Sequence, residues 1–98
     1  MFVEIKPSNR KNKRLLAIFY DKDKKKVKMT HFGLKGGSTF IDHNDNKKKD
    51  AYEARHKVNE NWNDYTSAGS LAFYILWNQP TLDRSIRDYA NRFNLKVI

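Results

Sequence analysis

The stretch that decides the fold is TSAGSLAFYILW, residues 66–77. Its second part, residues 71–77, contains no charged residue, although 32% of the whole chain is charged. A run that is apolar on every side belongs in a protein interior, as a buried helix or a buried strand. The small residues at its start favour close helix packing, Thr66 or Ser67 can cap a helix there, and Pro80 ends it. We therefore predict a buried central helix, which is much too short to cross a bilayer.

The length and composition predict one domain with an aromatic core. The chain has 98 residues, and 13% of them are aromatic, which is ample material for a core. It contains no cysteine, which excludes disulfides, thiolate metal sites and a cysteine nucleophile. The start of the chain, MFVEIK, has no apolar segment long enough for a signal peptide, so we expect the protein to be made and kept in the cytosol.

The positive charge is concentrated in the first half of the chain. Residues 1–57 contain 16 Lys and Arg against 7 Asp and Glu, a net charge of +9, whereas residues 58–98 contain 4 of each. Such an imbalance indicates what the protein binds rather than how it folds. It favours an anionic partner, either a nucleic acid or an acidic protein surface.

Three segments have the patterns of β-strands. Residues 2–6 alternate in polarity and predict an edge strand that ends at Pro7. Residues 15–20 form a continuous apolar run, and residues 27–32 alternate so that Val27, Met29 and His31 share one face. The lysine-rich segment between these two predicts the tip of a β-hairpin. Residues 39–41 predict a further short strand.

Two more helices flank the predicted central helix. Asp45 is a good N-cap for a helix over residues 46–58, and Thr81 caps a helix over residues 82–93 whose apolar residues recur at helical spacing. The sequence therefore predicts an α+β fold in one domain, residues 1–98. A small antiparallel hairpin or three-stranded sheet lies in a basic, β-rich half, residues 1–41, and three α-helices follow in residues 42–98.

A lysine-rich surface is the first candidate binding site. It comprises the basic residues of the hairpin tip and of the loop before the hairpin: Arg10, Lys11, Lys13, Arg14, Lys22, Lys24, Lys25, Lys26 and Lys28. Such a surface binds phosphates without selecting bases, and its affinity falls steeply as salt rises. The alternative is a solvated turn whose lysines protect a sheet edge from pairing with another chain. Nothing predicts base recognition, since the aromatic residues fall at core positions.

Three histidines with nearby acids form the second candidate site. His31 on a strand, with His43 and Asp45 at a helix start, suits a metal-dependent nuclease, which is the least favoured alternative. The sequence has no HxH or HExxH spacing, and it has no GxSxG nucleophile elbow. Residues such as His43 and Asp45 more often cap a helix, and histidines such as His31 and His56 more often bond to the backbone in a core. We therefore expect no metal, no other cofactor and no enzymatic activity.

A series of short motifs runs along residues 27–94. It comprises HFG at 31–33, DHND at 42–45, Tyr52 with Arg55 and His56, NWND at 61–64, TSAG at 66–69, ILWNQPTL at 75–82 and SIRDY at 85–89. In this order the motifs resemble an uncharacterised family of small basic proteins encoded by nucleocytoplasmic large DNA viruses, such as those of algae and amoebae. The chain departs from that pattern at Ser67, because the pattern usually runs from threonine directly to Ala-Gly.

The resemblance implies a viral role without a reaction, since that family has no established activity. Small basic proteins of such viruses are commonly virion components, either minor capsid proteins or proteins associated with packaged DNA. It implies a non-enzymatic structural protein of the virion, present in the host cytoplasm or nucleus during infection. Its partners would be viral capsid proteins, duplex DNA or both, with no small-molecule substrate. The alternative is a sequence-nonspecific protein that binds and compacts DNA.

The motif residues also have a structural explanation. Buried hydrogen bonds and aromatic contacts would tie the loop-rich half of a small domain to its helical half. The residues concerned are His31, Gly33, Asp42, His43, Asp45, Arg55, His56, Trp62, Gly69, Trp77 and Pro80.

Overall fold

A sheet and a set of helices divide the chain between them. The computed structural model describes residues 1–57 and 62–98, and within these ranges it contains four strands and four helices. The strands are β1 (Phe2–Pro7), β2 (Lys13–Tyr20), β3 (Lys26–Leu34) and β4 (Lys96–Val97). The helices are α1 (Phe40–His43), α2 (Asn46–His56), α3 (Ala68–Leu71) and α4 (Leu82–Arg92). The α+β class predicted from the sequence is confirmed.

The sheet is mixed, with the strand order β3-β2-β1-β4. The strands β1, β2 and β3 pair in antiparallel fashion, which confirms the predicted hairpin, whereas β4 runs parallel to β1. In the hairpin, Ile18 lies opposite Met29 and Leu16 lies opposite His31. The register shifts near the tip, because Phe19 pairs with Lys28 but Tyr20 pairs with Lys26. The residue between those lysines, Val27, is therefore the extra residue of a β-bulge.

Two details of the predicted sheet are wrong. Residues 39–41 do not form a strand, because Thr39 and Asp42 form a reciprocal capping box that begins α1 at Phe40. The sheet also has a fourth strand, β4, which pairs with β1, so β1 is not the edge strand predicted from the sequence. The strand β4 follows a left-handed residue, Asn94 (φ 56°), and the backbone N–H of Leu95 then bonds the carbonyl of Ala90 at 2.8 Å. That turn directs the chain from α4 back to the sheet.

The predicted helices are present, with different bounds. Asp45 caps α2, its side chain accepting from the backbone of Lys47 and Lys48, and the predicted end at Val58 lies outside the described residues. The central helix starts after its N-cap Ser67, and α3 continues as a π-helical turn over Ala72–Leu76 that no pattern in the sequence indicated. The predicted cap of α4, Thr81, accepts from the N–H of Arg84. No helix in residues 1–57 and 62–98 is long and apolar enough to cross a membrane.

The core lies between the helices and one face of the sheet. From the sheet it contains Val3, Leu15, Ala17, Phe19 and Phe32, and from the helical half Leu71, Ile75, Leu76, Tyr89, Ala90 and Leu95. The fully buried Tyr89 donates its hydroxyl to the carbonyl of Tyr65 at 2.6 Å, and its burial raises its pKa. The three core residues from β2, Leu15, Ala17 and Phe19, are every second residue of that strand, which places the intervening Leu16 and Ile18 on the opposite face of the sheet.

Candidate binding surface for anionic partners

The predicted basic residues occupy two places rather than one continuous surface. The β1–β2 cluster, in the turn between those strands and at the start of β2, consists of Arg10, Lys11 and Lys13. The β2–β3 cluster, at the hairpin tip, consists of Lys22, Lys24, Lys25 and Lys26. The strand β2 has 8 residues, and at about 3.3 Å per residue its two ends lie about 25 Å apart.

The hairpin tip is held by the carboxylate of Asp21. Its Oδ1 accepts hydrogen bonds from the backbone N–H of Asp23 and of Lys25, both at 2.9 Å, and its own N–H bonds the carbonyl of Lys25. Lys24 adopts a left-handed conformation, with φ 60°, and its ammonium lies 5.3 Å from the centre of the Phe2 ring. The tip therefore has a defined backbone that displays its lysines on an exposed turn.

The turn before β2 is closed by Ser8. The backbone N–H of Ser8 bonds the carbonyl of Arg14 at 3.1 Å, and its hydroxyl accepts from the N–H of Arg10 at 3.0 Å. The same hydroxyl lies 2.7 Å from Nδ1 of His31 on β3. Burial of the ring, and then the charges of Arg10 and Lys13, lower the pKa of His31 below its ordinary value.

Two of the predicted basic residues bind within the chain. Arg14 makes a two-pronged ion pair with Asp42 of α1, both N–O distances being 2.8 Å, and it also donates to Thr39. The Arg14 guanidinium and the Thr39 donors hold the pKa of the Asp42 carboxyl well below its usual range. Lys28 donates to Thr66 at 2.8 Å. Both side chains therefore join the β-rich half to the helical half, although Lys28 is itself exposed.

The remaining cations of the two clusters form no ion pair with a side chain of the described residues. Among residues 1–57 and 62–98, the ion pairs within 4.0 Å join Arg14 to Asp42, Arg87 to Asp83 and Arg92 to Asp88. Two of these three pairs lie in α4, which belongs to the electrically neutral part of the chain. The exposed lysines of the β-rich half therefore keep their charge available to a partner.

The three histidines lie in three separate places. His31 bonds Ser8 on the sheet, and Nδ1 of His43 accepts from the N–H of Asp45 beside α2. The ring of His56 stacks on Tyr52, at 4.0 Å between centroids. The part of the chain that the structure describes contains no group of three or more His, Asp or Glu side chains that could hold a metal ion. The nuclease alternative therefore has no geometric support in these residues.

Several motif residues hold the helical half together. Trp77 stacks on Tyr52 at 4.4 Å and lies edge-on to His43, and Trp62 stacks on Phe73 at 3.8 Å. The carbonyl of Pro80 accepts from the side chain of Asn44. These contacts agree with a structural explanation of the motifs. Of the others, Arg55 is exposed, and Gly69 lies within α3.

Gly33 is required by its backbone and its surroundings. It has a φ of 79°, in the region that favours glycine. A Cβ atom at this position would lie 2.8 Å from Cδ1 of Leu76 in the core. The glycine of the HFG motif therefore lets β3 pass close to the π-helical turn.

A cavity on the sheet face opposite the core, the face that carries Leu16 and Ile18, was missed by sequence reasoning. Its volume is about 380 Å³, and it is lined by Lys6, Pro7, Asn9, Leu16, Ile18, Lys26, Met29 and His31. All of these residues belong to the strands or to the turn between β1 and β2. The available signal was the unbroken apolar run at 15–20, which is typical of a strand that buries both of its faces.

Comparison with known proteins identifies a family. A family of unknown function (DUF5754) matches residues 3–56, which run from the second residue of β1 to the end of α2 and make up more than half of the chain. The chain belongs to this family. No curated protein and no solved structure matches it. The matched region contains both basic clusters and the cavity, and it overlaps the first part of the motif series.

Proposed function

We propose that this family member is a non-enzymatic structural protein of a large DNA virus that binds anionic partners through its two basic clusters. The viral assignment is supported by the motif series, and the binding role by the distribution of charge. As a virion component it would be found in the particle, and in the host cytoplasm or nucleus during infection. Its partners would be duplex DNA, the acidic surface of a capsid protein, or both.

The observation that carries the proposal is the unneutralised charge of the β-rich half. Residues 1–57 have a net charge of +9. None of the cations of the two clusters takes part in an ion pair within the described residues. Arg14 and Lys28, which do have partners, face the helical half instead. The cations that join the two halves of the chain are therefore different residues from those of the two clusters.

The spacing of the clusters suits an extended polyanion. Their separation of about 25 Å corresponds to about seven base pairs of duplex DNA, at 3.4 Å per base pair. If about four of their seven side chains contact phosphates at once, the slope of log K against log salt would be near −3.6. Contacts of this kind position a protein on DNA without reading its sequence.

The test is fluorescence anisotropy with a labelled random duplex, from about 50 to about 300 mM salt. Lys22→Gln with Lys25→Gln removes two charges from the β2–β3 cluster, and the matched control is Lys47→Gln with Lys48→Gln, at exposed positions of α2. The cluster variant should weaken binding and reduce the salt slope by up to about 2, because each lost phosphate contact removes about 0.9. Equal effects of the two variants would refute binding through the clusters.

The same titration separates the two kinds of partner. Binding that persists near physiological salt with a steep slope would favour a protein that binds and compacts DNA. Binding that is already lost when the salt concentration has risen to about 150 mM would favour an acidic capsid surface as the partner.

A further inference from the structure

The sheet face opposite the core contains a cavity with aliphatic residues at its floor and lysines at its border, and we propose that it binds an acidic peptide segment of a partner protein that inserts one large apolar side chain. This inference rests on the proposed function, since it names a partner for the same basic half of the chain. It differs in the site, because the contact would be made on the sheet face between the two clusters.

The floor of the cavity is aliphatic. Leu16 and Ile18 are only 6% and 3% exposed, yet neither belongs to the core cluster that holds the helices. They line the cavity together with Lys6, Met29 and His31 from the neighbouring strands. Met29, directly opposite Ile18 on β3, remains 48% exposed. An apolar side chain entering here would remove the exposed methionine from water, which is the usual source of affinity in small apolar sites.

The border of the cavity is positively charged. Lys6 and Lys26 line it, and no acidic side chain does. The nearest acid on this face of β1 is Glu4, whose carboxylate already accepts a hydrogen bond from the hydroxyl of Tyr20 at 2.8 Å. Charge complementarity therefore favours a segment with carboxylates on both sides of its apolar residue.

His31 adds a neutral hydrogen-bond donor. Since the Ser8 hydroxyl accepts from the N–H of Arg10, its own hydrogen is free to bond Nδ1 of His31. In the tautomer that accepts this bond at Nδ1, the uncharged imidazole carries its hydrogen on Nε2 and can donate it to a carboxylate or to a peptide carbonyl. Arg10 and Lys13, the charged neighbours of the ring, oppose its protonation.

The residues that line the site favour a peptide over a nucleic acid. Single-stranded nucleic acids bind by stacking their bases on exposed aromatic rings, and the floor of this cavity offers leucine, isoleucine and methionine. The aromatic residues at the far end of the same face are engaged already, since Lys24 covers Phe2 and Tyr20 bonds Glu4.

The experiment uses three labelled pentapeptides with the whole protein at about 150 mM salt. The probes are Glu-Glu-Phe-Glu-Glu, the same peptide with serine at its centre, and Lys-Lys-Phe-Lys-Lys. The phenylalanine-centred acidic peptide should bind at least about tenfold more tightly than either of the others, because it alone offers both the apolar side chain and the carboxylates.

Protein variants locate the binding site. Met29→Glu places a negative charge in the cavity, and Val27→Glu is the matched control, on the same strand at a residue that is 53% exposed and does not line the cavity. Met29→Glu should lower the affinity for the acidic phenylalanine peptide at least about tenfold, whereas Val27→Glu should lower it by less than about threefold. Lys6→Gln should also lower the affinity for this peptide, and this second variant keeps the test valid if Met29→Glu folds poorly.

Each outcome separates this inference from the proposed function. Equal binding of the serine and phenylalanine peptides, or equal effects of the two glutamate variants, would refute binding of the apolar side chain in the cavity. Charge-driven binding through the clusters would remain possible. If Met29→Glu weakens the binding of a single-stranded oligonucleotide and Val27→Glu does not, the ligand of the cavity would be a nucleic acid rather than a peptide. If neither the peptides nor duplex DNA binds, the proposed function itself fails.

Discussion

Asp42 joins the two halves of the molecule, and its removal gives the most informative test of the fold. Its carboxylate accepts two hydrogen bonds from Arg14 at 2.8 Å, and it also accepts from the N–H and the hydroxyl of Thr39 at 2.8 and 2.9 Å. Asp42→Ala removes all of these at once. The residue thus acts both as an ion-pair partner and as the reciprocal member of a helix cap.

The expected cost of Asp42→Ala is about 2 kcal/mol in the free energy of unfolding. Loss of the cap costs about 1 kcal/mol. The side chains of Arg14 and Asp42 are 25% and 36% exposed, and because water screens such a pair we assign it only about 1 kcal/mol. For a domain of this size, the sum corresponds to a decrease in Tm of about 10 °C.

The cost should depend on pH with a definite sign. Arg14 and Thr39 lower the pKa of Asp42 in the folded state, so the carboxylate stabilises the protein when it is ionised. This contribution is complete above the unfolded pKa, about 3.9, and it is lost as the pH falls through the lower folded value. The difference between wild type and Asp42→Ala should be constant from about pH 5 to pH 8 and smaller at about pH 2.

The assay is urea unfolding followed by circular dichroism, with Asp83→Ala as the control. Asp83 also lies in the first turn of a helix and pairs with an arginine at 2.7 Å, but both side chains are more than 70% exposed. That pair should contribute less than about 0.5 kcal/mol. A loss for Asp42→Ala no larger than for Asp83→Ala, or one that is the same at pH 2 and pH 7, would refute the reasoning.

Two further substitutions test the core by the same urea assay. Gly33→Ala should cost about 1 kcal/mol more than Gly36→Ala, because both glycines have positive φ but only at Gly33 would a Cβ atom meet a core side chain, 2.8 Å away. Equal costs would place the requirement in the backbone alone. Tyr89→Phe should cost about 1 to 2 kcal/mol through the lost 2.6 Å bond from its buried hydroxyl. The control, Tyr65→Phe, removes a hydroxyl in an exposed contact, and a cost as large as that of Tyr89→Phe would contradict the expectation.

Long periodic elements were predictable and short ones were not. The apolar spacing of α4 and the two arms of the hairpin extend over enough residues to outweigh local preferences. The helix α1 has only 4 residues, and its capping box decided against the strand that its β-branched residues suggested. The strand β4 has 2 residues, too few for any pattern, and it exists because Asn94 turns the chain back toward β1.

The candidate surface was predictable in composition but not in arrangement. The sequence locates the cations in the first half, but the partners of Arg14 and Lys28 lie 28 and 38 residues away along the chain. No local pattern distinguishes these two from their neighbours. The remaining cations form two separate clusters because β2 lies between them. This separation depends on the length and the pairing of β2 in the folded protein.

The arrangement also decides where function should be sought within the motif series. His43, Asp42, Trp77 and Gly33 are held by contacts within the chain, so substitutions there should change stability first. His31 differs, since it lines the cavity while it bonds Ser8. The exposed lysines of both clusters lie outside the motifs, and substitutions there should change the stability of the fold little. If the proposal is right, binding and stability are therefore separable by mutation in this protein, and the two properties should change together at His31.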